Sequence, residues 1–107
     1  MGEEVTRIIN ALTTLKDFPV EKIILFGSRA REDAFIYSDY DFIVVSPAFA
    51  AYPFPDRASK ILKYLPLAGK LDLLCYTPEE FTLKSKQIGI VQEAIKEGKH
   101  WPTSIRK

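Results

Sequence analysis

The chain predicts an α+β domain: a small mixed β-sheet of three to four strands with helices packed on it. Three observations carry that expectation. Amphipathic helical stripes alternate with short apolar strands along the sequence, the pattern of a layered fold. The strand candidates are short runs bounded by Gly, Ser, Pro or charged residues. At 107 residues the chain forms one domain, 1–107, with material for a single core.

Composition narrows the class. A hydrophobic fraction of 47% and a charged fraction of 27% are those of an ordinary globular protein. The net charge of +1 writes no strong pull toward nucleic acid or anionic membrane, so direct nucleic-acid binding is not expected. Cys75 is the single cysteine, which excludes an internal disulfide and fits a reducing compartment. No apolar run approaches the roughly 20 residues of a membrane span. The opening MGEEVTR lacks the basic-then-apolar order of a signal peptide. A cytoplasmic location is expected.

The elements follow in order. Val5, Ile8, Ile9, Leu12 and Leu15 recur at helical spacing and predict a first helix over 3–16, closed by Asp17, Phe18 and Pro19. Glu21 to Phe26 reads as a strand buried on both faces, because four apolar residues run together. Gly27 and Ser28 turn the chain, and Ala30 begins a short helical turn. Ser38 to Val45 is the second strand; alternation puts Asp39, Asp41, Ile43 and Val45 on one face and Tyr40, Phe42 and Val44 on the other. The prolines of 46–55, SPAFAAYPFP, predict an irregular loop. Ala58, Ile61, Leu62 and Leu65 form a further helical stripe, and Leu71 to Tyr76 a third strand with Asp72 near its start. Thr77-Pro78-Glu79-Glu80 is a capping box opening a helix. Ile88, Val91 and Ile95 extend the helical pattern to Gly98, with Gly89 as a break point. The residues from His100 onward read as a tail, though that tail or the long loop could hold a fourth strand.

The chemistry concentrates in 27–45. Asp39 and Asp41 lie one residue apart in an otherwise apolar strand. Asp is depleted from strands. Two carboxylates about 4 Å apart, at an effective dielectric of about 20, repel by on the order of 4 kcal/mol. A hard divalent cation held on oxygen ligands, such as Mg²⁺, would offset that cost. The Gly27-Ser28 turn allows close backbone approach and suits phosphate oxygens. Asp72 could complete a second metal site or take a proton from an attacking hydroxyl. Arg29 and Arg31 fit phosphate contacts, or equally the solvated face of a helix. Together these parts suit transfer of a nucleotidyl group from a nucleoside triphosphate. The carboxylates could also be edge charges that block strand aggregation. Cys75 reads as a small core hydrophobe, and His100 as an exposed residue without metal-ligand companions.

"GSRAR", "SDYDFIVV" and "KLDLLCYTPEEF" resemble the signature of the polymerase-β-type nucleotidyltransferase superfamily, in its minimal nucleotidyltransferase members. The resemblance covers nearly the whole chain. It implies a palm-like fold, a nucleotide at Gly27 and Ser28 with Arg29 and Arg31 nearby, and metals on Asp39 and Asp41 with Asp72 as third carboxylate. It also implies Mg²⁺, with two ions accommodated, and ATP as substrate. Family members often carry Gly where this chain has Glu32, an acidic side chain near the triphosphate. Larger relatives bind the acceptor with an additional domain, so the acceptor is expected in trans. Minimal members commonly pair with a helical HEPN-type protein, the nucleotidyltransferase being the antitoxin that adds AMP to its partner.

Two other readings stand beside that one: a catalytically weak module that neutralises a partner by binding, and an enzyme acting on a small molecule or as a metal-dependent hydrolase. The aromatic residues Phe49, Tyr52 and Phe54 are either a docking surface or rings folded over the core.

Overall fold

A computed structural model of the chain describes residues 2–31 and 39–102. Helix α1 (Glu3–Thr13) opens it and buries Val5, Ile8, Ile9 and Leu12. It stops at Thr13 rather than Lys16. The Thr13 and Thr14 hydroxyls donate to the Asn10 carbonyl at 3.1 and 2.9 Å, satisfying a carbonyl at the helix end. Strand β1 (Lys22–Phe26) follows, then the single turn α2 (Ser28–Arg31), strand β2 (Tyr40–Val45) and helix α3 (Phe54–Leu62). Strand β3 (Leu71–Tyr76), helices α4 (Pro78–Ser85) and α5 (Ile90–Glu97) and strand β4 (Lys99–Pro102) complete the order.

The sheet order is β3-β2-β1-β4. β1 is antiparallel to β2 and β4, and β2 is parallel to β3, so the sheet is mixed as expected. The fourth strand lies in the segment that reads as a tail. Its KHWP sequence has no period-2 signal, and pairing with the outer edge of β1 is what makes it a strand.

Each face of the sheet carries its own core. Ile23, Leu25, Phe42, Val44 and Cys75 pack under α1 and α3. Ile24, Ile43, Val45 and Tyr76 pack under Val91 and Ala94 of α5. Burial pushes the Cys75 thiol up to about 12, so it packs as a small apolar group.

The 46–55 segment is not irregular. Ser46 caps a 3₁₀ turn, Pro47–Ala51, accepting from the Ala48 N–H at 3.2 Å, and Pro53 caps α3. Proline at the start of a helix forfeits only a donor that has no partner there anyway. Of the aromatic residues, Phe49 is fully buried and its ring centroid lies 5.4 Å from that of Phe18; Tyr52 packs on Phe18 at 6.1 Å. Only Phe54 is exposed, at 44%.

The expected capping box is present. Thr77 accepts from the Glu80 N–H at 3.2 Å, and Glu80 accepts from the Thr77 N–H at 3.0 Å. Glu80 also takes both ends of the buried Arg57 guanidinium, which in turn donates to the Tyr52 and Cys75 carbonyls at 2.9 and 3.1 Å. One side chain thus ties the 3₁₀ segment, β3 and α4 together. The helical pattern after Thr77 divides into α4 and α5, with Gly89 as the residue that precedes α5.

Candidate functional site

Asp41 is the centre of the site. It is the second residue of β2, paired with Phe26 on one side and Asp72 on the other. Because β2 and β3 run parallel in this register, the two aspartates stand side by side on the face that carries α5. The Asp72 carboxyl lies within hydrogen-bond reach of Asp41. Burial first, then the charges of Asp72 and Asp39, hold the Asp41 carboxyl above its ordinary range. Asp39 precedes the strand and is exposed. The structure therefore brings Asp41 and Asp72 into contact and keeps Asp39 within electrostatic reach.

Gly27 closes the site from β1. Its φ of +76° is in the left-handed region, and a β-carbon there would stand 2.6 Å from Asp41 Oδ2. Both facts require glycine: the turn needs the positive φ, and the carboxylate needs the space. The Gly27 carbonyl accepts from the Ala30 N–H at 3.1 Å, which starts α2. Ser28 opens α2; its side chain, that of Arg31, and Glu32 with the rest of 32–38 lie outside the described residues. The Arg29 guanidinium stands 4.3 Å from the centroid of Tyr40, whose ring belongs to the core on the opposite face.

A cleft of about 330 Å³ opens beside Asp41, walled by Phe26, Gly27, Ile90, Glu93, Ala94 and Glu97. Glu93 and Glu97 come from α5, one turn apart, and had no distinguishing signal in the sequence. Arg57 had one clue, a cation beside the apolar stripe of α3.

Among the described residues, no three His, Cys, Asp or Glu side chains stand close enough to enclose a metal ion. The Asp41–Asp72 pair still fits a hard divalent cation. Its donors are carboxylate oxygens, and its mutual repulsion is the cost a cation would remove. Mg²⁺ is usually held by one or two carboxylates together with substrate phosphates rather than by a closed protein cage.

A family model for the nucleotidyltransferase domain matches residues 5–105. The chain belongs to that family. Among the solved structures, this nucleotidyltransferase domain is similar to a candidate nucleotidyltransferase from Sulfolobus solfataricus. The TM-score is 0.65 at 20% identity, over 96% of this chain and 81% of the other. At that identity the likeness speaks to the fold, which is the α+β arrangement read from the sequence. No curated protein matches the chain. No helix among the described residues is long and apolar enough to cross a membrane.

Proposed function

We propose that this nucleotidyltransferase domain is Mg²⁺-dependent and moves AMP from ATP to an acceptor on a partner protein, as the antitoxin of a HEPN-type pair. The observation that carries the transfer chemistry is the Asp41–Asp72 contact, with Gly27 pressed against Asp41. Asp41 and Asp72 would hold the cation together with substrate phosphates; the cation would neutralise phosphate charge and align the displacement. The chain's own part is to place the acceptor and receive its proton. The acceptor oxygen bonds to the α-phosphorus, the bond to the bridging oxygen of pyrophosphate breaks, and Asp72 takes the acceptor's proton. Asp72, exposed on the edge strand, is more open to an arriving acceptor than half-buried Asp41.

Two features favour a protein acceptor. Leu83, Ile88 and Ile90 are 63%, 97% and 55% exposed on or between α4 and α5. Ile90 also lines the Asp41 cleft, so an apolar surface adjoins the site where the acceptor must arrive. The pairing with a HEPN-type helical protein, and AMP as the group moved, follow from the sequence resemblance.

The experiment is incubation of the purified chain with α-labelled ATP, Mg²⁺ and a HEPN-type helical protein as candidate partner. The expected result is label covalently on that protein, with release of pyrophosphate. Tight binding of the partner without label would make the chain a neutralising module. Free AMP without an adduct would make it a hydrolase.

A further inference from the structure

Tyr40 separates the two carboxylates Asp39 and Asp41, and its side chain enters the opposite core. It is 4% exposed. Its hydroxyl donates to Glu4 Oε1 in the first turn of α1. The Arg29 guanidinium of α2 stands 4.3 Å from the ring centroid, in cation–π range. Elements α1, α2 and β2 therefore meet on one ring, and α2 is the turn that follows directly on Gly27.

The backbone gives this ring its importance. The ladder with β1 begins at Asp41, so Tyr40 is paired only with Leu71 of β3, and Asp39 lies before the strand. At this end of β2 the ladder alone fixes the strand less firmly. Because successive side chains alternate, any roll of the backbone at Tyr40 carries Asp39 and Asp41 together. We propose that Glu4, Arg29 and Tyr40 are positioning residues: from the far face of the sheet they hold the Asp39–Asp41 segment in register with the Gly27 turn, and so set the affinity of the carboxylates for a divalent cation.

This inference rests on the reading of Asp41 as a cation ligand.

The test is Mn²⁺ binding to the full chain, followed by electron paramagnetic resonance, with melting of the metal-free protein recorded alongside. Loss of an outer partner typically weakens metal affinity by about 10- to 100-fold. Tyr40→Phe keeps the ring and loses the hydroxyl. It is expected to fall toward the lower end, roughly 10-fold, and Glu4→Ala should match it. Glu4→Gln retains an acceptor and should restore affinity to within about twofold of the parent; a role in stability alone would not give this pattern. Asp41→Asn is the control for the underlying reading. If Asp41→Asn loses Mn²⁺ while both Tyr40→Phe and Glu4→Ala bind it as the parent does, the positioning role is wrong and the cation site stands. If Asp41→Asn itself binds Mn²⁺ normally, the cation site is wrong and the inference goes with it. Should Tyr40→Phe fail to fold, Glu4→Ala decides, since Glu4 is half-buried on the first turn of α1.

Discussion

Asp41 and Asp72 are direct neighbours across the parallel β2–β3 ladder, and the Asp72 carboxylate makes the charge on Asp41 harder to hold. The Asp41 pKa is raised from its ordinary 3.8 by burial and by the neighbouring carboxylates. Its stabilising contribution is therefore complete below that ordinary value and is lost as pH rises through the raised one. The Asp41 contribution to the melting temperature of the metal-free protein should decline as the buffer moves upward from about pH 4, near the ordinary 3.8. Mg²⁺ should raise the melting temperature more at pH 8 than at about pH 4, close to the ordinary value from which Asp41 is raised, because binding needs Asp41 deprotonated. A Mg²⁺ response independent of pH would count against the pair as the cation site.

Asp41→Asn removes one charge of that pair. It should cost transfer activity roughly 100-fold or more, the scale of several kcal/mol of lost charge stabilisation. The same variant should melt no lower than the parent without metal, and should lose most of the pH dependence just described. Initial-rate assays and calorimetry on the same preparation check both halves.

Gly27→Ala introduces a β-carbon 2.6 Å from Asp41 Oδ2 at a φ of +76°. The backbone cost is about 1–2 kcal/mol. The nearest atom is the end of a side chain, so the Asp41 carboxylate would move aside. Activity should therefore fall by more than stability does, which urea melts and rate measurements on one preparation would reveal. Equal losses would mean that the turn, rather than the carboxylate, is what the glycine serves.

Glu80 has the opposite pH sign. Its hydrogen bond with Arg57 is the main cause of a pKa below the ordinary 4.5. The stability it lends is present above that ordinary value and disappears as pH falls through the lowered one. Glu80→Ala leaves the buried Arg57 guanidinium with carbonyl partners only and breaks the capping box. The expected loss is about 3 kcal/mol in urea denaturation at neutral pH, shrinking in acid where the parent has also lost the pair.

Much of this was legible in the sequence. The apolar runs at 23–26 and 42–45, the capping box at Thr77 and the alternation of Asp39 and Asp41 are local signals. The helices and the strands β1, β2 and β3 follow from such signals. What was not legible depends on tertiary contact. Strand β4 exists because β1 has an edge to fill. Arg57 is buried because Glu80, far along the chain, meets it. Arg29 stacks on Tyr40, a contact that spacing alone does not reveal. The prolines of 46–55 stand at the starts of a 3₁₀ turn and of α3 rather than in an irregular loop, because the same residue that breaks a helix interior can begin one. In the site, Gly27, Asp41 and Asp72 stand together, whereas Glu93 and Glu97 arrive only through the docking of α5.

The sheet order has a kinetic corollary. β1 and β2 are the interior strands, with partners on both sides, whereas β3 is an edge and pairs with β2 in the slightly weaker parallel sense. Native-state opening should therefore release β3 before it disturbs β1 or β2. Such an opening carries Asp72 away from Asp41 while the rest of the fold persists. Amide exchange along Leu71–Tyr76 should be faster than along Ile23–Leu25, so the protein's own breathing would assemble and dismantle the carboxylate pair.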